Sequence, residues 1–303
     1  MHKSLIRSKL FVPGSRPELF NKALQGAADA ISIDLEDAVQ EAGKAPARAA
    51  VSDFLRAPSF EARGKTVIVR VNGLDTPHFA ADMEACAWPG LDMLNLPKAE
   101  SPEDVQAASA LLARLEKERA IAHPIGLLVN IESPRGLRRA AEIAAAGAPI
   151  VGLELGFAEL LEPLGIDRKN AAAIQNLQLM LRLAAGESDL PVYDSAFGDI
   201  KDVEGFRSEA SASFRLGFEG KTCIHPSQVA HANEIFRPSE QQIADALAVT
   251  DAWREAQRNG VGAITVNGRM IDAPFARRAQ AIVALAQRLG IIVDSKQSKG
   301  MTE

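Results

Sequence analysis

The sequence has few cysteines, no excess of positive charge and no long uninterrupted apolar run. Its two cysteines, Cys86 and Cys223, form neither a Cys-x-x-Cys pair nor a metal-ligand spacing, which favours a reducing compartment. A formal net charge of −5, without a block of lysine and arginine, argues against a nucleic-acid partner. No segment approaches the roughly 20 apolar residues of a membrane-spanning helix, and the amino terminus lacks the apolar core of a signal peptide. We therefore expect a soluble cytoplasmic protein without a membrane partner.

Short apolar segments alternate with longer helical patterns over most of the 303 residues. Eight short segments predict β-strands, at 9–12, 30–35, 66–71, 92–96, 125–131, 149–155, 190–193 and 221–224. The strands are apolar on both faces, as in a parallel sheet covered by helices. Eight evenly spaced units without a large insertion favour a closed (β/α)₈ TIM-type barrel over a doubly wound open sheet. We predict this barrel as the catalytic domain over residues 1–237.

A further module follows the eighth unit. Residues 239–258 predict a helix with Ser239 as its N-cap, residues 260–270 a short hairpin, and residues 274–289 a final helix. These elements lie outside the barrel count. We therefore predict a C-terminal helical and hairpin extension over residues 238–303.

Charged residues follow several of the predicted strands, at the end where a (β/α)₈ barrel carries its active site. These residues are Asp34, Glu36, Asp37, Arg70, Lys98, Glu132 and Glu159. Any one of them could be a solvated strand cap, but carboxylates crowded on one rim repel one another unless a cation lies among them. Oxygen ligands without a thiolate point to Mg²⁺ or Mn²⁺ rather than to zinc.

The rim residues suggest separate roles at such a site. We expect Glu132 and Glu159 to bind the metal, because Mg²⁺ usually takes one or two protein carboxylates. Glu36 and Asp37 would hold metal-bound waters. Arg70 carries a permanent charge and could stabilise a developing oxyanion.

Eight short motifs occur in order along the chain. They are Arg-Ser-Lys-Leu-Phe-Val-Pro-Gly at 7–14, Ile-Asp-Leu-Glu-Asp-Ala-Val at 33–39, Arg-Val-Asn at 70–72, Leu-Pro-Lys at 96–98, Ile-Glu-Ser at 131–133, Gly-Phe-Glu-Gly-Lys at 217–221, Ile-His-Pro-Ser-Gln at 224–228 and Met-Ile-Asp-Ala-Pro at 270–274. With these motifs the chain resembles the citrate lyase β-subunit-like family, in the malyl-CoA lyase branch of the HpcH/HpaI aldolase group. That group belongs to the phosphoenolpyruvate/pyruvate barrel superfamily. The resemblance covers residues 7–289.

The resemblance implies a lyase that cleaves or forms a C–C bond between a small 2-keto acid and an acyl-CoA. Its 3-hydroxy-3-carboxyacyl-CoA would be malyl-, citramalyl- or citryl-CoA-like. The family's Mg²⁺ ligands correspond to Glu132 and to Glu159, where the family pattern Gly-x-x-Asp has aspartate. Glutamate keeps the charge and adds one methylene, which leaves the exact substrate open.

The resemblance also implies roles for residues outside the metal site. Arg70 would contact the substrate, and Arg16 and Lys98 would lie near the CoA or its thioester. Asp272 would do acid–base work in a neighbouring subunit, which makes the C-terminal extension a lid in a homo-oligomer, a trimer or a dimer of trimers.

Other interpretations of these residues stay open. The same metal could serve a malyl-CoA-type thioesterase, with water attacking in place of C–C cleavage, or the chain could be a non-catalytic binding subunit. Asp272 could only cap the helix that Pro274 begins. His225, which precedes Pro226, favours a structural hydrogen bond over a catalytic role.

Overall fold

Eight parallel strands close into a barrel because each apolar segment is followed by a helix that returns the chain to the same end. The computed structural model describes residues 5–57, 62 and 64–292. The barrel strands are β1 Ser8–Pro13, β2 Ala30–Asp34, β3 Thr66–Arg70, β4 Met93–Leu96, β5 Gly126–Ile131, β6 Ile150–Leu155, β7 Val192–Asp194 and β8 Gly220–Cys223. Their spatial order follows the sequence, and β8 pairs with β1. The predicted TIM-type barrel is confirmed, and the open sheet is excluded.

Ten α-helices follow these strands within the described part of the first 236 residues. They are α1 Phe20–Gln25, α2 Lys44–Arg56, α3 Phe79–Cys86, α4 Pro102–Glu118, α5 Pro134–Arg138, α6 Ala140–Ala144, α7 Phe157–Leu161, α8 Ala171–Gly186, α9 Val203–Arg215 and α10 Pro226–Ile235. Several begin at a side-chain cap; Ser101, for example, forms a capping box with Asp104 at the start of α4. After β5 the chain forms two short helices instead of one long one, because the helical backbone is interrupted at Arg139 between α5 and α6.

The core has two layers, which the alternation of side chains along each strand separates. Outward-facing residues such as Ile31, Val67 and Val129 pack against the helices. Inside the barrel, Ala30, Ile68, Met93 and Leu128 belong to a smaller apolar cluster. Two residues further along the same strands, the side chains on this face are polar: Ser32, Arg70, Asn95 and Asn130. The barrel interior therefore changes from apolar to polar toward its carboxyl end.

The chain divides into two compact units, Met1–Phe236 and Arg237–Glu303. The second contains α11 Glu240–Arg258, a hairpin of β9 Ile264–Val266 and β10 Arg269–Ile271, and α12 Ala273–Arg288. Its apolar contacts join α11 to α12 through Ala246 and Ala279, with Trp253 packed separately on Ile271. Within the described residues, no helix is both long and apolar enough to cross a membrane.

Candidate active site

Five neighbouring strands deliver charged side chains to one rim of the barrel. Asp34 and Arg70 are the last residues of β2 and β3, and Lys98 lies two residues beyond β4. Glu132 directly follows β5, and Glu159 lies in the first turn of α7, after β6. Because the strand order equals the sequence order, these residues follow one another around the rim.

Arg70 is the centre of a buried ion cluster. Its Nε and Nη2 donate to the two carboxylate oxygens of Asp34 at 2.8 and 2.7 Å. Its Nη1 lies 3.0 Å from Glu36 Oε2 and 3.3 Å from Asp37 Oδ2, and its guanidinium stacks 4.7 Å from the centre of the Phe11 ring. Burial acts to raise the pKa of Asp34, but the hydrogen bonds and charge of Arg70 outweigh it and hold that pKa below its ordinary value. The guanidinium is therefore fixed from three sides.

Glu36 and Asp37, which the sequence suggested as holders of metal-bound waters, form ion pairs with the cations of this cluster. Besides Arg70, Lys98 Nζ lies 2.7 Å from Glu36 Oε1 and 3.7 Å from Asp37 Oδ1. Burial is the main cause that raises the pKa of Glu36 to about 7, although Arg70 and Lys98 act in the opposite direction. Glu36 is thus a carboxyl group that can gain or lose a proton near neutral pH.

Lys98 connects this cluster to Glu132 through an unusual backbone conformation. Its φ of 54° lies in the left-handed region, which residues other than glycine rarely adopt. In this conformation its N–H donates to Glu132 Oε1 at 3.0 Å, while its side chain reaches Glu36. One residue therefore fixes two carboxylates. Backbone strain of this kind concentrates at functional sites.

Glu132 is a deeply buried carboxylate of the rim. It is only 3% exposed, and burial raises its pKa, with further contributions from the charges of Glu159 and Glu154. Among the described residues, no lysine or arginine forms an ion pair with Glu132 or with Glu159. A buried carboxylate without a cationic partner is costly, and a bound cation removes that cost.

The close approach of Gly156 keeps Glu132 in place. A Cβ added to this glycine would lie 2.4 Å from Glu132 Oε2 and 2.7 Å from Glu132 Cβ. Gly156 also precedes α7, so Glu159 follows within a single helical turn. The glycine of the Gly-Phe-Ala-Glu segment therefore serves as space for one carboxylate and as the start of the helix that carries the other.

The donor set fits a hard divalent cation held by few protein ligands. Within the described residues, no group of three or more His, Cys, Asp or Glu side chains is arranged to hold a metal, so the pair Glu132 and Glu159 would leave most coordination positions to water and substrate. Mg²⁺ is bound in this way, through one or two carboxylates.

A polar cleft of about 330 Å³ opens at the part of the rim that carries Glu36 and Lys98. Its lining includes Glu36, Asp37, Lys44, Asn72, Thr76 and Lys98. Two lysines and two carboxylates of the Arg70 cluster, Glu36 and Asp37, therefore face the same space. Such a cleft suits an anionic substrate held beside a metal.

Two predicted site residues form no hydrogen bond or ion pair with this group among the described residues. Arg16 follows β1, and its side chain is 59% exposed and pairs with Glu18 instead of with a rim residue. Asp272 belongs to the second unit, where it precedes α12 without making a capping bond, and its buried Oδ1 has no hydrogen-bond partner among the described residues. The interpretation of Asp272 as only a helix cap is therefore wrong. His225 does accept the Ser227 N–H at the start of α10, as a structural role requires.

Two charged residues that lie inside strands were not identified from the sequence. Lys9 of β1 and Glu154 of β6 form a buried ion pair inside the barrel, and the Thr222 hydroxyl donates to the other oxygen of Glu154. A period-two signal could have found them, because Lys9 and Glu154 alternate with the apolar residues that face the helices. Their charge acts on the rim, since Glu154 helps to raise the pKa of Glu132.

Comparisons with known proteins show which proteins this chain is similar to. A family model described as HpcH/HpaI aldolase/citrate lyase matches residues 7–226. The L-malyl-CoA/beta-methylmalyl-CoA lyase of Cereibacter sphaeroides is 35% identical over 93% of this chain and 95% of its own. The citrate lyase subunit beta of Leuconostoc mesenteroides is 34% identical over 97% of each chain. The crystal structure of CitE from Mycobacterium tuberculosis in complex with magnesium, acetoacetate and coenzyme A is 33% identical, with a TM-score of 0.74 over 94% of this chain and 99% of that one.

Proposed function

The chain belongs to the HpcH/HpaI aldolase/citrate lyase family, and we propose that it is a Mg²⁺-dependent carbon–carbon lyase acting between a small 2-keto acid and an acyl-CoA. Its substrate would be malyl-, citramalyl- or citryl-CoA-like. The observation that carries the proposal is Glu132, a buried carboxylate that forms no ion pair with a lysine or arginine among the described residues. It accepts the N–H of Lys98, which lines the cleft together with Glu36. The names of the relatives as lyases, and the magnesium and coenzyme A bound to the related CitE, support the proposal.

Glu132 and Glu159 would hold the metal. Bound Mg²⁺ supplies Lewis acidity and a template for the oxygens of the hydroxy or keto acid. Gly156 gives Glu132 the space to reach this position, and the Lys98 N–H orients its other oxygen. Mn²⁺ would suit the same oxygen ligands.

Arg70 and Glu36 are the groups that we expect to act on the substrate. Nε and Nη2 of Arg70 donate to Asp34, and Nη1 contacts Glu36 and Asp37. Nη1 would therefore exchange one of these two contacts for a developing enolate oxygen at the thioester. Glu36 faces the cleft with a pKa raised to about 7 by burial, which suits a base that takes the hydroxyl proton as the C–C bond breaks. Asp37 would keep both cations of the cluster in place.

The remaining parts of the proposal concern CoA and assembly. Lys98 would contact the acyl-CoA near its thioester, and the exposed Arg16 would contact its phosphates. Asp272, whose buried Oδ1 has no hydrogen-bond partner within the described residues, would protonate the enolate carbon in a neighbouring subunit. We therefore propose a homo-oligomer, a trimer or a dimer of trimers, in the cytoplasm. The two free cysteines, both buried, are compatible with that compartment.

The proposed function is tested by supplying malyl-, citramalyl- and citryl-CoA with Mg²⁺ or with EDTA, and measuring keto acid and free CoA separately. We expect Mg²⁺-dependent keto acid release from at least one of them, without a matching release of CoA. Free CoA without keto acid would show a thioesterase, and Mg²⁺ binding without either product would show a non-catalytic subunit.

Replacing Glu132 tests the metal site itself. Glu132→Gln should lower keto acid release by about 100-fold or more. Replacing a residue that only hydrogen-bonds to a metal ligand already costs up to about 100-fold, and loss of the ligand itself should cost at least as much. Its thermal stability without metal should not fall, because the substitution removes a buried charge. Glu103→Gln, at an exposed carboxylate of α4, is the matched control and should stay fully active. Full activity of Glu132→Gln would refute the assignment.

A further inference from the structure

The start of α7, two residues before Glu159, is fixed by side chains from other parts of the barrel. We propose that Ser195 and Arg168 are positioning residues for Glu159, and that a buried ionic network fixes both of them. The inference rests on the proposed function in one respect, the role of Glu159 as a metal ligand.

α7 has little means of fixing its own start. It is five residues long, and its N-cap position is Gly156, which has no side chain to accept a hydrogen bond. A helix this short is unstable by itself and depends on tertiary contacts. The buried N–H of Phe157, the first residue of α7, instead donates to Ser195 Oγ at 3.0 Å. The cap of this helix is therefore supplied by the segment after β7.

Side chains hold that segment at three consecutive carbonyl oxygens. Lys221 Nζ donates to Ser195 O at 2.7 Å, Arg168 Nη2 to Ala196 O at 3.2 Å, and Gln228 Nε2 to the oxygen of the next residue, Phe197, at 3.0 Å. Residues 195–199 form neither helix nor strand. The three side-chain donors replace the backbone pairing that fixes a strand, so the position of Ser195 is well determined.

Two of these donors, Lys221 and Arg168, are oriented by an ionic network with the carboxylates of Asp194 and Glu209. Fully buried Lys221 contacts Asp194 and Glu209, each at 2.7 Å. Arg168 binds both oxygens of Glu209 with Nη1 and Nη2, and its guanidinium lies 4.7 Å from the centre of the Phe157 ring. Arg168 therefore touches α7 directly while it holds the segment that caps it.

The cost of this network argues for a positional role. Burying charges is expensive, and an apolar replacement of similar volume is often as stable or more stable. Lys221 and Asp194 have side chains that are 0% exposed, so stability alone gives little reason for these charges. What they provide is a fixed geometry, at the start of a helix whose third residue is Glu159.

The decisive variant is Ser195→Ala, which removes one hydroxyl acceptor. We expect the Kd of Mg²⁺, measured by titration calorimetry without substrate, to rise about tenfold, as for outer partners of metal ligands. Ser195→Thr keeps a hydroxyl and should restore most of the affinity. Ser101→Ala is the matched control, since it removes a buried hydroxyl that caps α4 on the same rim, and it should leave the Kd unchanged.

A second pair of variants tests the network. Arg168→Gln should weaken Mg²⁺ binding as Ser195→Ala does. Arg7→Gln, which breaks a comparable two-oxygen pair with Asp29 just before β1, should not. If wild-type protein binds Mg²⁺ and Ser195→Ala binds it within twofold, or if both arginine variants weaken it equally, the positioning role is overturned and the proposed function stands. If wild-type protein does not bind Mg²⁺, the proposed metal site fails, and this inference fails with it.

Discussion

Gly156→Ala should disable the metal site by filling the space that Glu132 occupies. The backbone at this position is extended, with φ −116° and ψ 97°, so alanine meets no conformational penalty there. The added Cβ would lie 2.4 Å from Glu132 Oε2, whereas ordinary van der Waals contact begins at 3.4 Å. The glycine itself is held by its N–H bond to Ile131 O at 3.1 Å. The added Cβ would also lie 2.7 Å from Glu132 Cβ, so either Glu132 with its backbone or the start of α7, which carries Glu159, must shift.

The size of the effect follows from that displacement. The added Cβ and the carboxylate oxygen have to separate by about 1 Å, which is several times the ~0.2 Å tolerance of a metal–ligand distance. We expect the Kd of Mg²⁺ to rise at least tenfold. Overpacking of this kind costs about 2 kcal/mol, which corresponds to a loss of about 4–8 °C in Tm for a unit of this size.

Titration calorimetry and thermal unfolding without metal measure the two effects separately. Gly147→Ala is the control for stability, because Gly147 has φ +72° and open space around it, at the loop that leads into β6. Alanine there pays about 1–2 kcal/mol for a left-handed backbone and has no contact with Glu132. The control should lose Tm and keep its Mg²⁺ affinity. A Gly156→Ala protein with the wild-type Kd would refute this account of the glycine.

Two further predictions concern the buried ion pairs. Lys9→Met should destabilise the protein by about 3–5 kcal/mol in urea unfolding, because it leaves Glu154 buried without its cation. The double variant Lys9→Met/Glu154→Leu should recover most of that loss. A double variant as unstable as the single one would contradict this. Burial raises the pKa of Glu209, but Lys221 and Arg168 lower it more, to about 2 from an ordinary 4.5. The stability that this gives, about 3 kcal/mol at about 1.4 kcal/mol for each pKa unit, should be present above pH 4.5 and disappear toward pH 2, so the gap between wild-type protein and Glu209→Gln in urea unfolding should close on acidification.

The rim residues could be predicted because a charged residue directly after an apolar strand lies where that strand leaves the barrel. The strand predicted over 125–131 is found as Gly126–Ile131, and Glu132 follows it in both descriptions. Parallel pairing then places successive strand ends side by side, so residues as distant in sequence as Asp34 and Glu132 share a rim. The periodicity of each strand and the order of the strands along the chain can both be read from the sequence.

The partners of these residues could not be predicted, because they depend on register and on contacts distant in sequence. Asp34 pairs with Arg70 since the two residues are Cα partners in the register of β2 and β3. α7 was not predicted, because this five-residue helix follows Gly156 and no residue with a capping side chain marks its start. Its cap, Ser195, comes from 38 residues away, and nothing next to Ser195 in the sequence indicates a hydrogen bond to Phe157.

The charge of the rim sets an order of binding. Arg70 and Lys98 are its two cations, and five carboxylates oppose them: Asp34, Glu36, Asp37, Glu132 and Glu159. The ionised rim therefore carries a net charge of about −3, and protonation of Glu36, whose pKa burial raises to about 7, removes at most one of these charges. A keto acid brings a further negative charge to a site of low dielectric. We infer that a divalent cation has to bind before the keto acid, so that the apparent affinity for keto acid depends on Mg²⁺ concentration even where no chemistry follows.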